Sequence, residues 1–191
     1  MGGVSTNSAY VHRVKYLTDQ LGDAGVDVVG ALFDLTSQRL VRLAVAITRN
    51  QCDAEDAVQA VMVRIATRPH QLHSARCAWA YLLQMVRHEA LTVLRKRKRL
   101  RGLGSLADLV IRRRVDEIEL QETNRAVWSA LRTLPAEQAE VVVLKIWEEM
   151  TFQEIGEILE ISPNTAASRY KYALNKLSAK LAGRREEVLH D

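Results

Sequence analysis

The chain has 191 residues, 48% of them hydrophobic, with nine glycines and three prolines, a composition of helical globular domains that excludes a largely disordered chain. A net charge of +4 and a pI near 9.2 permit a nucleic-acid partner, while no apolar run approaches the roughly 20 residues needed to cross a membrane and no apolar core follows the first charges as a secretory signal requires. Cys52 and Cys77 lack framework spacing and suit a reducing cytoplasm, the expected location. The opening MGGVST formally fits a myristoylation pattern, but so short a match carries no weight.

Residues 1–27 read as an N-terminal extension, in which Val11, Val14 and Leu17 to Leu21 suit one short helix without an assigned function. From Val28 to Arg49, the positions Leu32, Leu35 or Thr36, Leu40, Leu43, Ala44 and Ile47 recur at helical spacing, and Asn50 with Gln51 closes the segment. Asp53, with Asp56 three residues on, is expected to cap the next helix. That helix carries Ala57, Val58, Val61, Met62 and Ile65 on one stripe and ends at Arg68-Pro69. An eight-residue loop, His70 to Cys77, leads into a long helix from Ala78 to about Arg101. Its apolar positions are Trp79, Leu82, Leu83, Val86, Ala90, Val93 and Leu94, and it closes on the basic run RKRKRLR. Such a run is either a solvated helix end whose cations complement the helix dipole or a phosphate-binding stripe, and a DNA-binding motif elsewhere in the chain favours the second reading.

Residues 102–116, opened by Gly102 and Gly104, are expected to be a linker, followed by a second unit over 117–183 and a tail over 184–191. A helix from Asp116 to Thr133 turns Ile118, Val127, Trp128 and Leu131 inward. Leu134-Pro135 restarts the chain into a helix from Ala136 to Glu149, whose VVVLKIW core reads as buried. Thr151 and Glu154 form a capping box before Phe152, Ile155, Ile158 and Leu159. Ser162 as N-cap and Pro163 at the first helical position then begin a helix with Ala166, Tyr170, Ala173, Leu177 and Leu181 on one face. Its other face presents Asn164, Thr165, Ala167, Ser168, Lys171 and Tyr172, short polar groups where a helix-turn-helix recognition helix reaches bases. Pro135 to Ile161 holds seven acidic residues and one basic, whereas Ser162 to Arg185 holds six basic and none acidic, so the second half invites phosphates. The expected fold is all-α: two small helical domains joined by a linker, the C-terminal one containing the helix-turn-helix.

His70, His73 and Cys77, with Cys52, raise a zinc site and a metal-dependent enzyme. HxxHxxxC is not among the strong metal patterns, and solvated histidines near DNA are the favoured reading, so no metal and no cofactor are assigned. No nucleophile motif, phosphate loop or paired carboxylate cleft stands out, and no catalytic residue is named.

With these residues in view, the chain resembles the extracytoplasmic-function (group four) bacterial RNA polymerase sigma factors. DAEDAVQAVMVRI from Asp53 looks like the family's core-binding segment. MVRHEALTVLRKRKR from Met85 looks like its minus-ten helix. The stretch from Leu131 to Leu177, with its Leu-Pro entry and the pair Ser168 and Arg169, is similar to its whole minus-thirty-five domain. The resemblance implies a non-catalytic specificity subunit that binds core RNA polymerase and directs promoter recognition. Its implied partners are the β′ clamp and β flap of the polymerase and promoter DNA, with an anti-sigma factor as a further partner the family admits and no membrane partner.

Residue by residue, the resemblance implies polymerase contacts at Asp53, Asp56, Gln59 and Met62. It implies minus-ten contacts at Arg87, His88, Arg95, Lys96, Arg97, Lys98 and Arg99, and a base-capturing pocket at His70 to Cys77. It implies minus-thirty-five contacts at Asn164, Thr165, Ala167, Ser168, Lys171 and Tyr172, while Arg169 anchors either a phosphate or the adjacent helix. Ala60, His88, Thr92, Glu160 and Ala167 depart from the family pattern, and Trp79 with Tyr81 stands near the family's usual Trp. The departures at Ala60, His88 and Thr92 motivate an alternative kept open on sequence alone: a stand-alone helix-turn-helix regulator, or a sigma mimic that binds a regulator without directing transcription.

Overall fold

A computed structural model describes residues 6–21, 25–101 and 122–188 and divides into two units, the first ending at Val115 and the second beginning at Asp116. The expected linker 102–116, the start of the second unit with Ile118, and the final residues 189–191 lie outside the described residues, as does the side chain of Leu181.

The first unit comprises α1 (Thr6–Asp19), α2 (Gly25–Thr48), α3 (Gln51–Thr67), the single turn α4 (His70–His73) and α5 (Ala78–Arg101). Helices α2, α3 and α5 pack on one another, burying Leu32, Leu40, Leu43 and Ile47 against Val58, Val61 and Ile65 and against Leu82, Leu83 and Val86. Helical periodicity puts these positions on one face of each helix. Helix α1, within the residues read as an extension, is part of the same core: it packs on α2 and α5 and buries Val14. Tyr10 sets its ring edge against buried Trp79 at 5.0 Å and 81°, and the Arg39 guanidinium lies 3.7 Å over the Tyr10 ring. Such a cation–π contact contributes about 0.5–2 kcal/mol.

Two local expectations are corrected. Asp53 does not cap α3; the helix begins two residues earlier, and the Oδ1 of the N-cap Asn50 accepts the Asp53 N–H at 2.9 Å. Arg49, with φ 57°, makes the left-handed turn that lets α2 stop and Asn50 adopt the extended conformation a cap needs. The expected loop at His70 to Cys77 contains α4, pinned by Leu72, which is buried. A single helical turn of four residues has no periodicity to detect.

The second unit comprises α6 (Glu122–Leu131), α7 (Ala136–Ile146), α8 (Phe152–Leu159) and α9 (Pro163–Val188). Val141, Val142, Val143 and Leu144 are buried, but the run expected to be buried through Trp147 stops there: Lys145 and Trp147 are half-buried and Ile146 is 47% exposed. Helix α7 ends at Ile146 rather than Glu149, because Trp147 is its C-cap and Glu149 turns left-handed at φ 51°. Lys145 Nζ then donates to the Met150 carbonyl at 2.9 Å across that turn. Trp128 and Trp147 stack on each other at 5.9 Å and are half-buried.

The capping box of α8 forms as the sequence implies, with Thr151 N–H donating to Glu154 Oε2 at 2.7 Å and Glu154 N–H to Thr151 Oγ1 at 3.2 Å. Its end depends on two residues. Gly156 is buried where a Cβ would stand 2.7 Å from the Ile161 carbonyl oxygen, so the turn closes only on glycine. Glu160 is left-handed, φ 58° and ψ 43°, a conformation that favours glycine. Glu160→Gly is therefore expected to stabilise the second unit by about 1 kcal/mol, seen as a rise of about 4–8 °C in its Tm. An unchanged or lower Tm by circular dichroism contradicts this.

Candidate nucleic-acid interface

Helix α3 buries one face and exposes the other. Ala54, Ala57, Val58, Val61, Met62 and Ile65 point into the core, while Asp56, Gln59, Ala60, Val63 and Thr67 form an exposed stripe. The structure brings Asp56 and Gln59 together, one turn apart and exposed, but places Met62 at 6% exposure on the core side. Met62 lies four residues after Val58 and so shares its buried face, which leaves it a packing role in the free protein. In its place the stripe carries Val63, which is 63% exposed. Sequence reading missed it because a valine beside a core methionine looks like part of the apolar stripe. Its spacing from Asp56 and Gln59, seven and four residues, was the available signal.

Asp53 is turned toward α5. Arg97 Nη1 donates to Asp53 Oδ2 at 2.7 Å, with the two side chains 20% and 24% exposed, so one expected polymerase acceptor holds one expected DNA cation. A second pair, Arg64 Nη2 to Glu89 Oε2 at 3.0 Å, joins the same helices farther along. Both pairs span residues 25 or more apart in sequence, which is why no local pattern announced them.

Along α5 the burial fades in the chain direction. Leu82, Leu83, Val86 and Ala90 are fully buried, Leu91 to Leu94 are half-buried, and Arg95, Lys96, Lys98 and Arg99 are exposed, with Arg97 half-buried among them. The helix thus carries its basic end out of the core as one cationic surface. His88 is exposed and Arg87 half-buried. The hydroxyl of Thr92 donates to the His88 carbonyl at 2.9 Å, so this position offers neither a charge nor a spare donor. His70, His73, Arg76 and Cys77 are exposed around Leu72, and Trp79 lies in the core, out of reach of a base, with Tyr81 half-buried. Among the described residues no group of three or more His, Cys, Asp or Glu side chains is arranged to hold a metal ion.

In the second unit Ser162 Oγ accepts the Thr165 N–H at 3.0 Å and lies 2.8 Å from the Thr165 hydroxyl, capping α9. Ala166 and Ala173 are fully buried, and Tyr170 packs against Phe152 of α8 at 5.8 Å. This seats α9 on α7 and α8 and turns Asn164, Thr165, Ser168, Lys171 and Tyr172 outward, Tyr172 being 61% exposed. Ala167 is half-buried. Arg169 faces the other way: its Nη2 meets Glu137 Oε2 of α7 at 2.8 Å, with the arginine side chain 26% exposed. In the free protein Arg169 thus lies against the adjacent helix, paired with a glutamate whose side chain is 68% exposed.

Comparison with known proteins agrees with this division. A Sigma-70 region 2 family model matches residues 32–100, which leaves α1 outside the match, and a Sigma-70 region 4 model matches residues 124–177. The chain is 31% identical over 148 residues to the RNA polymerase sigma-E factor of Streptomyces avermitilis, covering 76% of this chain and 80% of that protein. It is 24% identical over 168 residues to the ECF RNA polymerase sigma factor SigX of Bacillus subtilis, covering 84% and 87% respectively. Its fold is similar to that of CnrH, solved in complex with the cytosolic domain of CnrY, with a TM-score of 0.62 at 22% identity, covering 88% of this chain and 97% of that one. No helix among the described residues is long and apolar enough to cross a membrane. With an N-terminal unit matching region 2 and a helix-turn-helix unit matching region 4, the chain belongs to the extracytoplasmic-function (group four) sigma factors, non-catalytic subunits that direct RNA polymerase to promoters and so to transcription initiation.

Proposed function

We propose that the three surfaces divide the work as follows. The exposed stripe of α3, Asp56, Gln59 and Val63, docks on the β′ clamp of core polymerase, offering acceptors and one apolar anchor to a basic surface. The basic end of α5, with His88 and the segment around α4, takes the minus-ten element. The outward face of α9, Asn164, Ser168, Lys171 and Tyr172, takes the minus-thirty-five element, with Arg169 positioning α9 rather than touching DNA. Residues 28–101 together with α1 form the proximal grip, 117–183 the distal one, the latter also facing the β flap. The observation that carries this reading is that each surface stands on a helix anchored in a core, α3 and α9 by their opposite faces and α5 by the buried stretch that precedes its basic end, so the partner-facing groups are presented by a rigid element. The same reading places the protein in the cytoplasm, where polymerase and promoters are. CnrH, whose fold the chain shares, was solved with the cytosolic domain of CnrY, and a protein partner of the anti-sigma kind is part of the same reading.

The test is initiation in vitro with purified core polymerase and a promoter selected by the protein. Lys171→Ala with Tyr172→Ala removes two contacts at about 1 kcal/mol each, so promoter-complex affinity is expected to fall about 30-fold. Assembly with core polymerase, measured by gel filtration, should be unchanged. Unaltered promoter affinity in the double variant removes α9 from the minus-thirty-five contact.

A further inference from the structure

The ion pair between Asp53 and Arg97 joins the two surfaces assigned above to different partners, and this inference rests on that assignment. We propose that Asp53 is a positioning residue that holds Arg97 off DNA in the free protein, and that engagement of the acidic face of α3 by core polymerase draws Asp53 away and hands Arg97 to a promoter phosphate.

The geometry suits the pair to switching for three physical reasons. At 2.7 Å the contact is a charge-assisted hydrogen bond, and with both side chains at least three-quarters covered it is screened less than a surface pair. Arg97 therefore contributes less field to the basic end of α5 than Arg95, Lys96, Lys98 and Arg99, which are exposed. The packing of α3 on α5 does not depend on the pair, because Val58, Val61 and Ile65 already meet the buried face of α5 and Arg64 pairs separately with Glu89. Opening the pair thus leaves the scaffold standing. Finally, each partner has a second stabiliser when the pair opens. Asp53 sits in the first turn of α3, where the helix dipole favours a carboxylate, and lies one turn before exposed Asp56, so a cationic surface docking on Asp56 also meets Asp53. Arg97 lies in the last turns of α5, beyond the point where its neighbours are buried, with the length to swing to a phosphate.

A competing description is that Asp53 simply subtracts one charge from the surface. The two differ in coupling: simple subtraction is independent of Arg97, whereas a latch acts through it. Full-length protein is titrated against a fluorescein-labelled mixed-sequence DNA duplex of about 30 base pairs by fluorescence anisotropy, across about 50–200 mM NaCl. Asp53→Asn is expected to steepen the salt slope by about 0.9, one further phosphate, and to raise affinity at the low-salt end about threefold. In an Arg97→Ala background the same substitution should change neither. With saturating core polymerase present, Asp53→Asn should add nothing to the slope, because the latch is already open.

An unchanged slope in Asp53→Asn overturns the proposal, as does a gain of equal size in the Arg97→Ala background, or a gain that persists with polymerase bound. Lys96→Ala with Lys98→Ala separates this from failure of the underlying assignment. If that double variant leaves the slope unchanged, the basic end of α5 does not hold DNA and both readings fall; if it flattens the slope while Asp53→Asn does not steepen it, the latch alone is wrong.

Discussion

Trp79→Ala is expected to lower the stability of the first unit by about 3–5 kcal/mol, the range for removing a buried aromatic from a packed core. Trp79 is 1% exposed, sits at the start of α5 and carries the edge of Tyr10 from α1. Its loss therefore opens a cavity and removes the platform on which α1 rests. Hydrogen exchange should consequently rise first across α1, before α2, α3 and α5. Trp79→Phe is a sharper control. The indole Nε1 is buried and makes no hydrogen bond to the described residues, so the phenyl ring loses volume but also removes an unsatisfied donor. A decrease of only about 1–2 kcal/mol is expected for it. Urea titration followed by circular dichroism measures both variants. Equal losses for Ala and Phe refute the account of the unpaired donor, and a loss below about 1 kcal/mol for Ala refutes the packing role.

Val63→Arg, which replaces the apolar anchor by a cation facing a basic surface, is expected to weaken assembly with core polymerase by about 30-fold, or about 2 kcal/mol, the scale of a hot-spot contact, while leaving stability within about 0.5 kcal/mol. The asymmetry follows from exposure, since Val63 is 63% exposed on the stripe with Asp56 and Gln59. Met62→Ala, one residue away, should do the reverse through a core cavity, costing about 2–5 kcal/mol of stability. Any effect it has on assembly should follow the fraction folded. Asp56→Ala should fall with Val63→Arg in the assembly assay and leave binding of the isolated protein to duplex DNA alone. If Val63→Arg assembles normally with polymerase by gel filtration, the stripe of α3 is not the docking surface.

Much of this site was legible before any coordinates. The capping box at Thr151 and Glu154, the Ser162-Pro163 start of α9 and the run Arg95 to Arg99 are local patterns, decided by side chains three or four residues apart. Less legible was anything that depends on which flank of a helix a neighbour covers. Met62 and Val63 are adjacent and both apolar, yet one is core and the other surface, because α2 and α5 close over the flank that holds Val58 and Ile65 and leave the other open.

The left-handed turn at Glu160 lies between these cases. Its position in the helix-turn-helix was readable, but its conformation depends on the close approach of Ile161 to Gly156, where the Ile161 N–H donates to the Gly156 carbonyl at 3.0 Å. The role of Arg169 likewise required the placement of α7, since a cation on a recognition helix suits a phosphate and a glutamate equally well by charge alone.

Helical periodicity, caps and charge runs were sufficient to establish an all-α chain in two units, the helix-turn-helix, and the identity of the cationic end of α5. These features rest on contacts within a single helical turn, which the order of residues specifies directly. Tertiary structure was needed to make α1 part of the core through Tyr10 and Trp79, to expose Val63, and to pair Asp53 with Arg97 across 44 positions. Those relations form between helices, where burial and partner choice are decided by the packing of distant segments rather than by spacing along the chain.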